Sequence, residues 1–574
     1  MNDMKTPRSL LIVILFAALA ATLLISHITN SASRDPVRAR NGMVVSADTI
    51  ASRIGVDILK KGGNAVDAAV AVGFALAVTY PGAGNIGGGG FMNIRFADGT
   101  AVTIDYREKA PAAAYRDMYL NEKGEFVPER SQIGHLSCGV PGSAAGLLLA
   151  LETYGTMKLA DVIQPAIDLA ENGFPMHYRL AEDIQATICE FSKFPSSMKV
   201  FTKNGEPYKE GDTFVQRDLA KTLRLIRDKG RDGFYKGETA DLIVAEMKRG
   251  GGLITHQDLE NYRAVIRQPV RGTYRGYEII SMGPPSSGGV ALIQLLNIME
   301  GYDVARLGHN SSKIIHLMAE AMKRVYADRA EYLGDPDFVK IPVEWLISKE
   351  YAAELRSKID TVKAVPSVQV SHGTPPVKEG GHTTHYCVAD KYGNVVSATT
   401  TINSGFGSKV VVEGTGFLLN DEMDDFSAKP GVPNMFGLVG SEANAIQPNK
   451  RMLSSMTPTI LLKDGIPFMV IGSPGGSTIM TTVMQVIMNV IDFKMNIQEA
   501  IDAPRIHHQW FPDQIFYEKR GLPLDVVENL QAKGHVLIER SGYQGLAEGI
   551  IIDQQKGMIY GASDSRGYGA AVGY

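Results

Sequence analysis

The sequence predicts an α+β fold in which helices pack outside antiparallel sheets. Thr383–Asp390 and Lys391–Val396 alternate apolar and polar positions around a Gly393-Asn394 turn, as a hairpin does. Ile50, Ile54 and Ile58 recur four apart with Leu59 beside them, as on one face of a helix. Long helical stretches between residues 140 and 250 and paired short apolar runs near the C-terminus complete the mixture. With 574 residues and 62.1 kDa, the chain can bury a large core and form two domains or two packed lobes. Its 44% hydrophobic and 21% charged content and net charge of -4 describe a soluble globular protein. Without a contiguous Lys/Arg stripe, a nucleic-acid partner is not expected.

Lys5 and Arg8 precede the apolar run Leu10 to Ile25, and Ser31-Ala32-Ser33 follows. Residues 1 to about 33 therefore read as an export signal or, if retained, an N-terminal membrane anchor, placing the protein in the periplasm or outside the cell. Met43 to Ala47 reads as a strand. A helix from Thr49 to Lys61, capped by Asp48 or Thr49, stops at Gly62-Gly63, and a second from Asn64 to about Val78 is apolar enough to be buried. Gly84 to Gly90 lacks the Gly-Lys-Ser/Thr of a phosphate loop and suits close approach of backbone to packed helices. Strands at Phe91 to Arg95 and Ala101 to Tyr106 follow, the latter delivering Arg107-Glu108-Lys109. That arginine is either a surface charge or a bidentate clamp for a carboxylate.

Helices are expected at Ser143 to Glu152, Lys158 to Glu171, Gln216 to Asp228 and Glu238 to Arg249. Strands at Ala264 to Val270 and Arg271 to Ser281 feed Pro284 to Gly289 and the helix Val290 to Glu300; Ser312 to Leu333 is a long amphipathic packing helix. Residues 361 to 382 read as an exposed connection. Beyond them come two runs within 456 to 471, a helix Ile479 to Ile491, and a closing hairpin of Gly545 to Asp553 and Lys556 to Ala562. Cys138, Cys189 and Cys387 read as buried small apolar side chains, with a Cys138-Cys189 bridge left open. His382, His385 and His507-His508 form no zinc signature, and nothing requires a metal or organic cofactor.

If the chain were cut before Thr383, one residue would carry a hydroxyl nucleophile and a free amine with a reference pKa near 8. Thr383-Thr384-His385-Tyr386, Thr401-Ile402-Asn403, Asn420 to Ser427, Leu453 to Met456 and Gly472 to Gly476, in that order, resemble the gamma-glutamyltransferase (gamma-glutamyltranspeptidase) family of N-terminal nucleophile hydrolases. The resemblance covers roughly residues 40 to 574. It implies a four-layer αββα sandwich and a precursor that cuts itself at His382-Thr383 into a large subunit, 34–382, and a small one, 383–574.

Carried over residue by residue, it implies that Thr383 is the nucleophile and Thr401 its hydrogen-bond partner. Arg107, Ser454 and Ser455 would receive a glutamyl α-carboxylate, while Asn403, Glu422 and Asp425 receive its ammonium. The amides of Gly475 and Gly476 would hold the oxyanion. Pro430 to Asn449 resembles a lid, with Phe436 where some relatives have a tyrosine latch, so its opening is expected to be less constrained. Glutathione is the implied donor, with water, an amino acid or a peptide as acceptor. A glutaryl/cephalosporin acylase, a gamma-polyglutamate hydrolase and a non-catalytic exported binding protein are the alternatives.

Overall fold

The computed structural model describes residues 33–371 and 383–574. The expected signal or anchor, and the stretch 372–382 with His382, lie outside the described residues. Among the described residues no helix is long and apolar enough to cross a membrane.

The hairpin at the centre is built as its alternation requires. Thr383–Ala389 pairs antiparallel with Val395–Thr401, Thr383 opposite Thr401. Gly393 takes φ 93° in the turn, and the Asp390 carboxylate accepts from the backbone N–H groups of Tyr392 and Asn394. The same carboxylate accepts from Ala65 N at 2.9 Å, tying the hairpin to the start of the buried helix Ala65–Thr79. Asn64 caps that helix with a reciprocal capping box, and Asp48 caps Thr49–Lys60 by accepting from Ile50 and Ala51.

Two seven-stranded sheets result. The first runs Ala570–Gly573, Met43–Ser46, Thr383–Ala389, Val395–Thr401, Gly89–Arg95, Ala101–Asp105, Val265–Arg267. The second runs Val37–Ala39, Met558–Ser563, Glu548–Asp553, Ile466–Gly472, Thr459–Lys463, Tyr277–Ser281, Val270–Tyr274. Three apolar layers order them. Met43, Val45, Cys387 and Val395 meet Ile280, Ile460, Val470 and Ile550 between the sheets. Ala65–Thr79 and Ser143–Tyr154 cover the outer face of the first sheet, and Gly288–Glu300, Ser312–Tyr332 and Ile479–Ile491 cover that of the second. Each large apolar side chain so buried contributes about 1.5–3 kcal/mol, and the stack is the four-layer αββα sandwich.

Four expectations change. Arg271 to Ser281 is a tight hairpin rather than one strand, with Tyr274 opposite Tyr277 and Arg275 (φ 50°) and Gly276 (φ 82°) at its tip. Arginine is not a usual left-handed residue, so the turn carried no clear sequence signal. Its guanidinium is held by Asp492, Glu300 O and Tyr302 O. The strand Ala570–Gly573 follows the expected closing hairpin and pairs with Met43–Ser46. All three cysteines are free, and Cys189 is exposed on the helix Tyr178–Phe191, so it is neither buried nor bridged to Cys138. The glycine run packs on the Thr383–Thr401 hairpin and the Leu418 loop as well as on a helix: a Cβ on Gly88 would lie 2.1 Å from Thr401 O, and one on Gly87 2.1 Å from Leu418 O.

Candidate active site

Strand pairing places Thr383 beside Thr401, and Thr401 in turn against Gly89. Thr383 Oγ1 donates to Thr401 Oγ1 at 3.4 Å, and Asn403 N donates to the same Thr401 oxygen at 2.8 Å. Asn403 follows the strand in a left-handed conformation, φ 73°, with its amide donating to Asp421 O at 3.0 Å. Thr383 lines two spaces, a small pocket walled mostly by buried side chains and a cleft of about 830 Å³.

The cavity gathers Arg107, Thr401, Asn403, Glu422, Asp425, Phe436, Ser454, Ser455 and Gly476 around Thr383. These are the residues that the sequence motifs single out, with Gly475 on the cleft side. Arg107 leaves the end of Ala101–Asp105; its Nε donates to Met452 O at 3.2 Å and Nη2 to Leu453 O at 3.2 Å. Its remaining donors reach Glu422 and Asp425, both on the 3-10 turn Glu422–Asp425. Asn420 sets that turn by donating to Gly87 O and Gly139 O while accepting from Glu422 N.

Burial opposes every one of these charges, and their mutual attraction decides the outcome. Arg107 is fully buried, yet Glu422, Asp425 and Glu108 hold its pKa above the ordinary value. Glu108 lies 3.6 Å from the same guanidinium, and burial pushes its carboxyl up to about 7. Burial raises Glu422 well above the ordinary range and Asp425 in the same direction, against the pull of Arg107. A site with more carboxylates than guanidiniums holds protons near neutrality, and it suits an incoming cation that can replace them. The cavity holds about 20 Å³, room for about one water.

Ser454 is fixed by its backbone, with N donating to Pro285 O at 2.9 Å and O accepting from Ser287 N at 2.8 Å. Ser455 Oγ accepts from Arg329 Nη2 at 3.2 Å, and Arg329 Nε donates to Ser287 Oγ at 3.0 Å. The helix Ser312–Tyr332 thus serves the site as well as the core. Glu108 and Arg329 had no role assigned from sequence. Arg329 falls on a buried stripe with Met318, Met322 and Val325, and a charge at an apolar-stripe position was the signal available.

Gly475 and Gly476 take φ 134° and 54°, and a Cβ on Gly476 would meet the Phe436 ring at 2.7 Å. Phe436 is buried over that turn, so a side chain there would displace the cover. The loop around Phe436 makes three contacts to its surroundings. Asn434 Nδ2 donates to Asp425 Oδ1 at 3.2 Å, Met435 N to Asp424 Oδ2 at 2.9 Å, and Gln509 Nε2 to Phe436 O at 3.1 Å. These three bonds fasten the loop at residues 434 to 436.

Among the described residues one group is spaced for a metal: His316, Glu320 and His535. His316 Nδ1 and His535 Nε2 share a hydrogen bond at 2.7 Å, and Lys323 and Arg324 pair with Glu320. Two cations already occupy the place of a third. His385 is buried against Thr399, and burial lowers its pKa to about 3 while raising the neighbouring Cys387 thiol, so that pair supplies no thiolate.

A sequence model described as Gamma-glutamyltranspeptidase matches residues 51–574. The chain is 52% identical over 532 residues to the Glutathione hydrolase proenzyme of Escherichia coli (strain K12), covering 92% of this chain and 91% of that one. The crystal structure of cephalosporin acylase from Bacillus halodurans superposes with a TM-score of 0.83 at 30% identity, covering 96% and 98% of the two chains. Helicobacter pylori gamma-glutamyltranspeptidase superposes with a TM-score of 0.57 at 49% identity, over 62% of this chain and 99% of that one.

Proposed function

The chain belongs to the gamma-glutamyltranspeptidase family, and from that premise we propose that it is an autoprocessed gamma-glutamyltransferase and glutathione hydrolase. The observation that carries the proposal is Thr383 at the neck between a small pocket of opposite charges and a large cleft. Cleavage of His382-Thr383 yields the subunits 34–382 and 383–574 and frees the Thr383 amine. The protein is exported, with residues 1 to about 33 as signal or anchor.

The donor's glutamyl head enters the cavity. Arg107, Ser454 and Ser455 take its α-carboxylate; Asn403, Glu422 and Asp425 take its ammonium. Thr383 Oγ attacks the γ-amide carbonyl while its own amine accepts the hydroxyl proton. Gly475 and Gly476 stabilise the oxyanion through their amides, and Thr401 orients the nucleophile. The C–N bond breaks, the proton passes to the leaving amine, and a gamma-glutamyl ester remains on Thr383. Water or the amine of an amino acid or peptide then attacks that ester and returns a proton to Thr383 Oγ.

T383A should remain a single chain and lose gamma-glutamyl transfer; cleavage and turnover both persisting in T383A would reject the assignment. The likeness to a cephalosporin acylase supports a second reading, with a glutaryl acyl group. Part-buried Asp425 opposes it, since a head without an ammonium would leave that carboxylate with only Arg107 and the Asn434 amide while Arg107 must also take the substrate carboxylate. Faster turnover of a glutaryl than of a gamma-glutamyl anilide would favour the acylase.

A further inference from the structure

Arg329 is 5% exposed near the end of the helix Ser312–Tyr332. Its guanidinium is held by two serine hydroxyls, Ser287 at 3.0 Å from Nε and Ser455 at 3.2 Å from Nη2. The fully buried arginines Arg107, Arg451 and Arg505 each have a carboxylate within ion-pair distance. Among the described residues Arg329 has none. Burial lowers its pKa more than Tyr326 and Asp425 raise it, yet an arginine stays charged at neutrality. A buried cation without a direct counter-charge is destabilising, and an anion brought by a ligand would offset it.

The two hydrogen bonds also decide where protons point. A guanidinium only donates, so Ser455 Oγ accepts from Arg329 and keeps its own proton for another acceptor. Ser454 Oγ is set in the same way, accepting from Met456 N at 3.2 Å. Both serines line the pocket beside Thr383 and Arg107, so two O–H donors are left for an oxygen acceptor there. Ser287 fixes the back of this arrangement by accepting from Arg329 Nε and donating to Ser454 O at 2.6 Å. About one helical turn before Arg329, the Tyr326 hydroxyl donates to Ser477 O, beside Gly476, so the helix is pinned to the site at two points.

We propose that Arg329 is a positioning residue for the donor's α-carboxylate: from behind Ser455 it directs that hydroxyl's proton into the pocket and adds a positive charge to that of Arg107, so that the site selects an ionised α-carboxylate over its amide. This rests on the gamma-glutamyl transfer proposed above. A hydroxyl that accepts from a guanidinium is a stronger donor to an anion on its other side, because each bond polarises the next. Arg329 acts through Ser455 and takes no part in bond making.

The test compares mature wild type, R329Q, R329K, S455A and the double variant R329Q/S455A. The donors are a gamma-glutamyl anilide and the same anilide with its α-carboxylate converted to a carboxamide. R329Q should raise KM for the acid about tenfold with kcat within about twofold, and change kcat/KM for the carboxamide by no more than about twofold. Added to S455A, it should raise KM by less than about twofold, because the serine through which it acts is gone. R329K, which can place a donor on one serine but lacks the planar fork, should fall between, at about threefold. If R329Q is not cut into two fragments, the acid-to-carboxamide comparison in R329K decides. Equal losses on acid and carboxamide, or a tenfold effect of R329Q that persists in S455A, would overturn the role of Arg329 while leaving the transferase reading intact. Absence of any anilide hydrolysis by wild type would instead overturn that reading, and this one with it.

Discussion

The small pocket and the large cleft meet at Thr383 but differ in how deeply their charges are buried. Around the pocket Arg107, Glu108 and Glu422 are buried and Asp425 is part-buried, and the attraction of Arg107 works against the burial that raises the three carboxyls. In the cleft Arg540 is half-buried, Tyr543 is exposed, and solvent screens what they do. Removal of one cavity charge should therefore cost far more than removal of a cleft charge, and the variants below either break or sharpen that contrast.

The largest effect is expected at Thr383: T383A should show no small fragment on denaturing electrophoresis and no measurable transfer. Next comes Asp425. Truncation of one partner of a buried, hydrogen-bonded charge pair costs about 2–5 kcal/mol, so D425A should lower kcat/KM for a gamma-glutamyl anilide by about a hundredfold or more. The same change should affect a glutaryl anilide far less; equal losses on both would mean that Asp425 does not read the ammonium.

A smaller effect tests the shared protons. Glu108 is raised to about 7 and Glu422 is also raised, so the empty site is partly protonated near neutrality. The sign follows: an incoming ammonium favours the ionised carboxylates and lowers their pKa, so binding of L-glutamate between pH 5 and 7 should release protons. Calorimetry in buffers of different ionisation enthalpy measures this, and proton uptake would contradict it. Smallest of all should be the lid phenol. F436Y should leave hydrogen exchange of residues 430–440 within about twofold of wild type, whereas N434A, which breaks the bond to Asp425, should speed it about tenfold.

The same contrast explains what the sequence revealed. The pocket residues sit in short ordered motifs, so the set Arg107, Asn403, Glu422, Asp425, Ser454 and Ser455 that the structure gathers around Thr383 was legible before any coordinates. The elements with strong periodicity were also legible: Thr49–Lys60, Ala65–Thr79 and Ile479–Ile491 lie within one or two residues of their expected bounds. Arg329 was missed because it reaches Ser455 from a helix distant in sequence, and the cleft wall because Phe516, Arg540 and Tyr543 follow no periodic pattern. The Arg275-Gly276 turn escaped because its left-handed arginine is held by contacts from Asp492 and Tyr302, which no local pattern encodes. Cys189 was misread because thiol burial depends on which helix face packs.

Intact-mass measurement of the two fragments after acid quench during turnover of a gamma-glutamyl donor tests the central claim most directly. The fragment beginning at Thr383 should gain one glutamyl group, and the large fragment none. Full turnover by an uncut chain, or an acyl group carried on the large fragment, would contradict it.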